Sequence, residues 1–246
     1  HQGGLVDTRS GEEWFIHFQD RGVYGRVTHL QPVRWEKGWP IIGMNPNENN
    51  IGEPVYFHKK PEGCPKQEPH EPVTSDDFNE PKLGLQWQWM ANPSEEFYSL
   101  IQRPGYLRLN NINPWGNENE ILWNCPNVLT QKIVTPSFLV KTLFDISGMK
   151  QGDQSGIGII GGKYAYLAIQ KERDIVYLTY IISTIGEESQ IEEVIFKQKI
   201  DIEDGLIQFQ ILFHKDGSCQ FTAFHKDVNL CPLTPIFSSD QAVWVG

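Results

Sequence analysis

A two-residue period runs through nearly every apolar stretch of this chain, and no window carries a helical stripe. In Leu83-Gly84-Leu85-Gln86-Trp87-Gln88-Trp89, the residues Leu83, Leu85, Trp87 and Trp89 share one face and Gly84, Gln86 and Gln88 the other, which predicts a half-buried antiparallel strand. The same alternation recurs over residues 138–144, 175–183, 194–200, 206–214 and 220–224. Lys215-Asp216-Gly217-Ser218 and Gly161-Gly162-Lys163 have the chemistry of hairpin turns. Many strands at short spacing predict an all-β chain whose main body is a two-sheet sandwich.

The first 43 residues form a separate meander. Three apolar runs, residues 4–8, 14–19 and 25–33, are parted by Ser10-Gly11 and by Asp20-Arg21-Gly22, and a hairpin turns through Glu36-Lys37-Gly38 before Trp39. Trp14, Ile16 and Phe18 lie on one face of the second run and Phe15 and His17 on the other, so that strand is expected to be covered on both sides. A segment of this size cannot supply so much cover itself. After Met44 the composition shifts to Asn, Pro, Lys and Glu, interrupted only by Val55-Tyr56-Phe57, which divides the chain into residues 1–57, a Pro-rich linker at 58–81 and residues 82–246.

With 39% hydrophobic and 12% aromatic residues, the 246-residue chain has ample material for packed cores, and disorder is excluded. The net charge of -10 repels phosphate backbones and anionic lipid, so neither a nucleic acid nor a membrane is an expected partner. A neutral sugar is compatible with that charge. No apolar run approaches the roughly 20 residues that span a bilayer. Cys64, Cys125, Cys219 and Cys231 are irregularly spaced and lack zinc-ligand spacing, so they read most plainly as four free or buried thiols; Cys219 and Cys231 are able to pair if they lie on adjacent strands. His1 reads as an internal residue of a longer protein, and residues 240–246 stop where a last strand is due to begin.

HQGGLVDT (residues 1–8), WFIHFQDRG (14–22), YGRVTHLQPVRW (24–35) and GWPIIG (38–43) resemble the closing part of the catalytic propeller of family 43 glycoside hydrolases, the β-xylosidases and α-L-arabinofuranosidases. LGLQWQWMANP (83–93), RPGYLRL (103–109), PNVLTQK (126–132) and GGKYAYLAI (161–169) resemble the sandwich that follows it in longer members. The resemblance implies the end of a five-bladed β-propeller followed by a concanavalin-like jelly-roll sandwich. It also implies an inverting mechanism with an Asp base, a Glu acid and a second Asp that tunes the acid, all in earlier blades. No catalytic residue is therefore expected in this chain. The implied partners are a xylo- or arabino-oligosaccharide and the missing propeller blades, from the same protein or a second chain. No cofactor is required by that chemistry, and a structural calcium is an option.

Arg26 is the expected substrate-binding residue, because the resemblance places in YGR the arginine of the innermost subsite and a planar guanidinium suits gripping hydroxyls and carboxylates. Its plain alternative is a surface arginine paired with Asp20 or Glu36. The resemblance also sets His1 at the propeller axis, near a calcium or water; calcium prefers oxygen ligands. His17 and His29 read as interstrand histidines, and Asp7 as a buried acid bonded to backbone or a hydroxyl. Glu12, Glu13, Asp20, Asp76 and Asp77 read as solvated. Trp115, Trp123 and Tyr106 are candidates for a sugar-stacking platform, against the plainer expectation that eight tryptophans mostly fill the core. Asp153 sits in a Gly-rich turn and lacks the acids of a calcium loop. A carbohydrate-binding or purely structural sandwich without catalysis is the alternative to the glycosidase reading.

Overall fold

A computed structural model describes residues 2–113, 121–185 and 190–240. The chain divides into two compact units between Glu71 and Pro72. Among the described residues no helix is long and apolar enough to cross a membrane.

The first unit is a four-stranded antiparallel meander, the form of one propeller blade: β1 (Gly3–Asp7), β2 (Glu13–Asp20), β3 (Arg26–Glu36) and β4 (Trp39–Ile42), in that spatial order. The β3–β4 hairpin closes through Lys37 and Gly38 alone, both at positive φ (52° and 84°), which matches the twist of the flanking strands. Beyond β4 the chain folds back, and Met44 bridges Glu53. Gly52 passes so close to β4 that a Cβ there would stand 1.8 Å from the Ile42 carbonyl oxygen.

The stretch beyond β4 is seated on the blade rather than loose. The Gln31 side chain, buried at mid-β3, donates to the Val55 carbonyl at 3.2 Å and accepts the Val55 N–H at 2.7 Å. Trp14 meets the ring of His58 edge-on at 5.2 Å, and the Glu62 N–H donates to the Glu12 carboxylate at 2.6 Å. Two-point capture of one residue's backbone N–H and C=O by a buried amide explains why chain without regular structure follows a defined path.

Within the unit β2 is covered only in part, as suits a segment too small to supply its own cover. Trp14 is buried, but Ile16 is 42% exposed, and Phe15, His17 and Phe18 are half-buried. Leu5, Val6, Val27 and Leu30 are exposed as well. A single four-stranded sheet has one layer, so apolar residues on both faces find only partial cover within the unit. For the same reason Asp7 is exposed, not the buried acid its apolar neighbours suggest.

The second unit opens with short ribbons, β5 (Gln88–Trp89) with β8 (Leu129–Thr130) and β6 (Tyr98–Ser99) with β7 (Arg108–Leu109). Two antiparallel sheets follow. One joins β10 (Gln154–Ile160), β11 (Tyr164–Glu172), β12 (Ile175–Ile185) and β13 (Gln190–Ile200) in sequential order. The other has the order β16 (Val228–Cys231), β15 (Ser218–His225), β14 (Leu206–Phe213) and β9 (Phe138–Asp145), with β17 (Phe237–Ser238) added to β15. Every second residue of β14 is buried, and Phe209, Phe213 and Phe221 join Leu167, Ile169, Leu178 and Tyr180 among the fully buried side chains. This is the two-sheet sandwich that the alternation predicts.

Two expectations fail here. Only Gln88–Trp89 of residues 83–89 is strand, and Leu85 is fully exposed. The cause is Asp76, whose carboxylate accepts the Trp87 indole N–H at 2.7 Å, the Gln86 amide at 3.3 Å and the Phe78 N–H at 2.8 Å. These side-chain bonds hold a turn that competes with strand pairing, so Asp76 is structural and not merely solvated. Among the described tryptophans only Trp14 is buried; tyrosines and phenylalanines fill the sandwich core instead. The four cysteines are free, the plainer of the two readings, and Cys219 and Cys231 do not pair although their strands are neighbours. Cys231 pairs in register with Ala223, four residues along β15 from Cys219. That separation is about 13 Å at strand spacing, beyond the reach of a disulfide.

Candidate functional site

Arg26 opens β3 opposite Asp20, the last residue of β2, at a corner whose backbone is closely specified. Arg21 N–H donates to the Gly25 carbonyl at 2.8 Å, Gly25 N–H to the Gly22 carbonyl at 2.8 Å, and the Asp20 carboxylate accepts the Gly22 N–H at 3.0 Å. Gly25 is buried at φ 69°, ψ -143°, a conformation essentially reserved for glycine. Arg26 therefore leaves a rigid turn. Its side chain is exposed, and the guanidinium carbon stands 4.5 Å from the centroid of the Phe18 ring. Glu36, one of the partners a surface arginine would find, is held by Arg34 at 2.7 Å. The arrangement presents a fixed cation with planar N–H donors, suited to hydroxyls and carboxylates.

The other expected residues are scattered. His1 lies outside the described residues, as does Trp115. His17 and His29 face each other across β2 and β3, stacked at 5.3 Å, and Phe15 stacks on His17 at 5.6 Å. They are interstrand histidines, as read, but among the described residues the buried Nε2 of His29 has no hydrogen-bond partner. Glu13 accepts the Trp35 indole N–H, and Glu12 is bonded to Ser10. Among the described residues no group of three His, Cys, Asp or Glu stands close enough to hold a metal. Asp153 caps a turn by accepting the Lys150 N–H at 2.6 Å, and a lone carboxylate does not fit calcium, which takes six to eight oxygens.

Of the candidate platform, Tyr106 and Trp123 are described, and neither leaves both ring faces bare. Tyr106 has one face covered by the Arg103 guanidinium at 3.7 Å, and Arg103 is itself bonded to Asp145. Trp123 is partly exposed but lies flat on Tyr164, the planes 7° apart with centroids at 6.3 Å. Sequence reasoning missed Glu192. Its carboxylate accepts the Tyr164 hydroxyl at 2.8 Å, the Tyr166 hydroxyl at 2.9 Å and the Leu122 N–H at 2.8 Å. Burial, together with that charge, holds both tyrosine hydroxyls protonated far above their usual range, and burial next to Glu192 raises the Cys125 thiol. Leu122 packs on the Tyr164–Tyr166–Ala168–Ile181 cluster, so the segment around it fills this part of the sheet face. A glutamate on a strand carries no sequence signal of such a role.

Residues 75–246 match the family model of the β-xylosidase C-terminal concanavalin A-like domain of family 43. The chain belongs to glycoside hydrolase family 43. It is similar to a β-xylosidase of Formosa agariphila, 35% identical over 217 residues, which cover 78% of this chain and 36% of that protein. A non-reducing end α-L-arabinofuranosidase of Bacteroides ovatus is 33% identical over 112 residues, covering 43% of this chain and 20% of the relative. Among solved structures, a bifunctional family 43 protein with a CE part from Bacteroides eggerthii superposes with a TM-score of 0.72 at 30% identity, over 97% of this chain and 30% of that one. The matches of this family 43 chain thus cover only 20–36% of the length of these relatives. It is the C-terminal portion of the family's architecture, a partial propeller followed by a concanavalin-like sandwich.

Proposed function

We propose that this chain is the C-terminal part of an enzyme that removes xylose or arabinofuranose from xylan-derived saccharides, and that Arg26 belongs to its innermost sugar subsite. The observation that carries the reading is the β2–β3 corner: a glycine-locked turn presents an exposed guanidinium at one end of a blade. Both faces of that blade leave apolar residues uncovered, with Leu5, Val6, Ile16, Val27 and Leu30 each more than 40% exposed. Neighbouring blades would cover them and complete a cleft.

The reaction proposed for the whole protein is inverting hydrolysis. A Glu protonates the leaving oxygen while an Asp activates a water on the opposite face of the sugar, the two carboxyl groups about 6.5–9.5 Å apart. These groups are supplied upstream of this chain. Arg26 contributes binding and orientation, donating its N–H groups to sugar hydroxyls or to an ionised carboxylate and stabilising the ionised form of the latter. An isolated sugar-binding sandwich is the weaker reading, since Leu122 and Trp123 occupy the aromatic sheet face and Tyr106 is covered.

Hydrolysis of aryl β-xylosides and aryl α-L-arabinofuranosides tests the proposal. No turnover is expected from this chain alone, and turnover is expected once the upstream blades precede it. Arg26→Ala in that longer protein should lower kcat/KM by about ten- to a hundredfold, the scale of losing a charged hydrogen bond to substrate. Turnover by the chain alone, or an Arg26→Ala protein with unchanged kinetics, would refute the corresponding part.

A further inference from the structure

We infer that Phe18 is a positioning residue for Arg26, and that the ring, not the backbone alone, aims the guanidinium into the sugar subsite; this rests on the role proposed for Arg26 above. An arginine at the start of a strand has four side-chain torsions, and an exposed one samples many rotamers. The rigid turn at residues 21–25 fixes where its Cα stands but not where its guanidinium points. Phe18 supplies what the turn cannot. It pairs in register with Thr28, two residues along β3 from Arg26, so both side chains emerge on the same sheet face.

The guanidinium carbon lies 4.5 Å from the ring centroid, within the range of a cation–π contact. Because the attraction uses the π face of the ring, it consumes none of the five N–H donors, which remain available to hydroxyls and carboxylates. A carboxylate in the same place would orient Arg26 only by occupying the donors that substrate needs. Phe18 is itself half-buried, which limits its own movement. The Arg26–Phe18 pair therefore holds the cation without spending its hydrogen-bonding capacity.

The test is a double-mutant cycle in the longer protein that carries this chain behind its upstream blades, read with aryl xylosides and arabinofuranosides. Phe18→Leu should lower kcat/KM by about three- to thirtyfold, the span of such contacts from exposed to desolvated sites. Phe18→Tyr and Phe18→Trp, which keep a π face, should stay within about twofold of the parent. Against an Arg26→Ala background, Phe18→Leu should cost nothing further, because a residue that acts through Arg26 has nothing left to position. In the present chain alone, the side-chain protons of Arg26 should show an upfield ring-current shift in NMR spectra that Phe18→Leu abolishes. Equal losses from Phe18→Leu with and without Arg26 would assign Phe18 a merely structural role and overturn the inference, as would harmless Phe18→Leu alongside damaging Arg26→Ala. An Arg26→Ala protein with full activity would sink the subsite reading itself and the inference with it.

Discussion

Glu192 on β13 accepts the hydroxyl of Tyr164 on β11 at 2.8 Å, reaching across β12, while Ser183 of β12 accepts the Tyr164 N–H at 2.8 Å. One carboxylate thereby ties two strands to the Leu122 backbone of an irregular segment. Glu192→Ala would leave two largely buried hydroxyls and one N–H to find new partners. We expect a loss of about 2 kcal/mol, measured as a lower denaturant midpoint for the sandwich, with Glu192→Gln losing less. In a Tyr164→Phe, Tyr166→Phe background the same Glu192→Ala change should cost markedly less; an undiminished cost would show that the carboxylate acts elsewhere.

Asp145 ends β9 with its carboxylate bonded to the Ser147 hydroxyl at 2.6 Å, to the Ser147 N–H at 2.9 Å and to Arg103. These bonds, Ser147 first, lower its pKa to about 2 against an ordinary 3.8. A depressed carboxyl pKa contributes stability that is present above the unfolded value and is lost as pH falls through the folded one. The sandwich should therefore lose stability between about pH 4 and pH 2, and Asp145→Asn should be less stable at neutral pH with a shallower acid dependence. Urea melts at stepped pH would check both; parallel curves for the two proteins would count against Asp145.

Gln31 and Val55 share two hydrogen bonds across 24 residues of sequence. Gln31→Leu should keep the volume and lose the clamp, at a cost of about 1–2 kcal/mol. The exposed Tyr56–Phe57 pair sits immediately beyond it, so cleavage there by chymotrypsin should accelerate while the sandwich remains intact. Mass spectrometry of the early fragments separates this from general unfolding, which would release sandwich peptides too.

Gly25 holds a backbone conformation that a Cβ disfavours. Gly25→Ala should cost about 1–3 kcal/mol through strain at the β2–β3 corner. Because Arg26 is the next residue, the same change should lower kcat/KM in the longer protein. A protein with unchanged melting temperature and kinetics would mean that the corner relaxes freely.

Much of this organisation follows from local pattern. Strands with a two-residue period, such as β14 with its strict burial alternation, and a hairpin tip such as Lys37-Gly38 are legible because period and turn chemistry act over a few residues. The family is likewise legible in contiguous motifs such as YGR at residues 24–26. What tertiary structure alone decided lies in contacts distant in sequence. Asp76 captures Trp87 and turns an alternating stretch into a loop, Glu192 reaches Tyr164 from 28 residues away, and Phe18 lies beneath Arg26 only because β2 and β3 pair as they do. Alternation says that a side chain belongs to a face, but the cover on that face comes from other parts of the fold. Hence Trp14 is buried by a returning segment while Ile16, on the same strand face, is open to solvent.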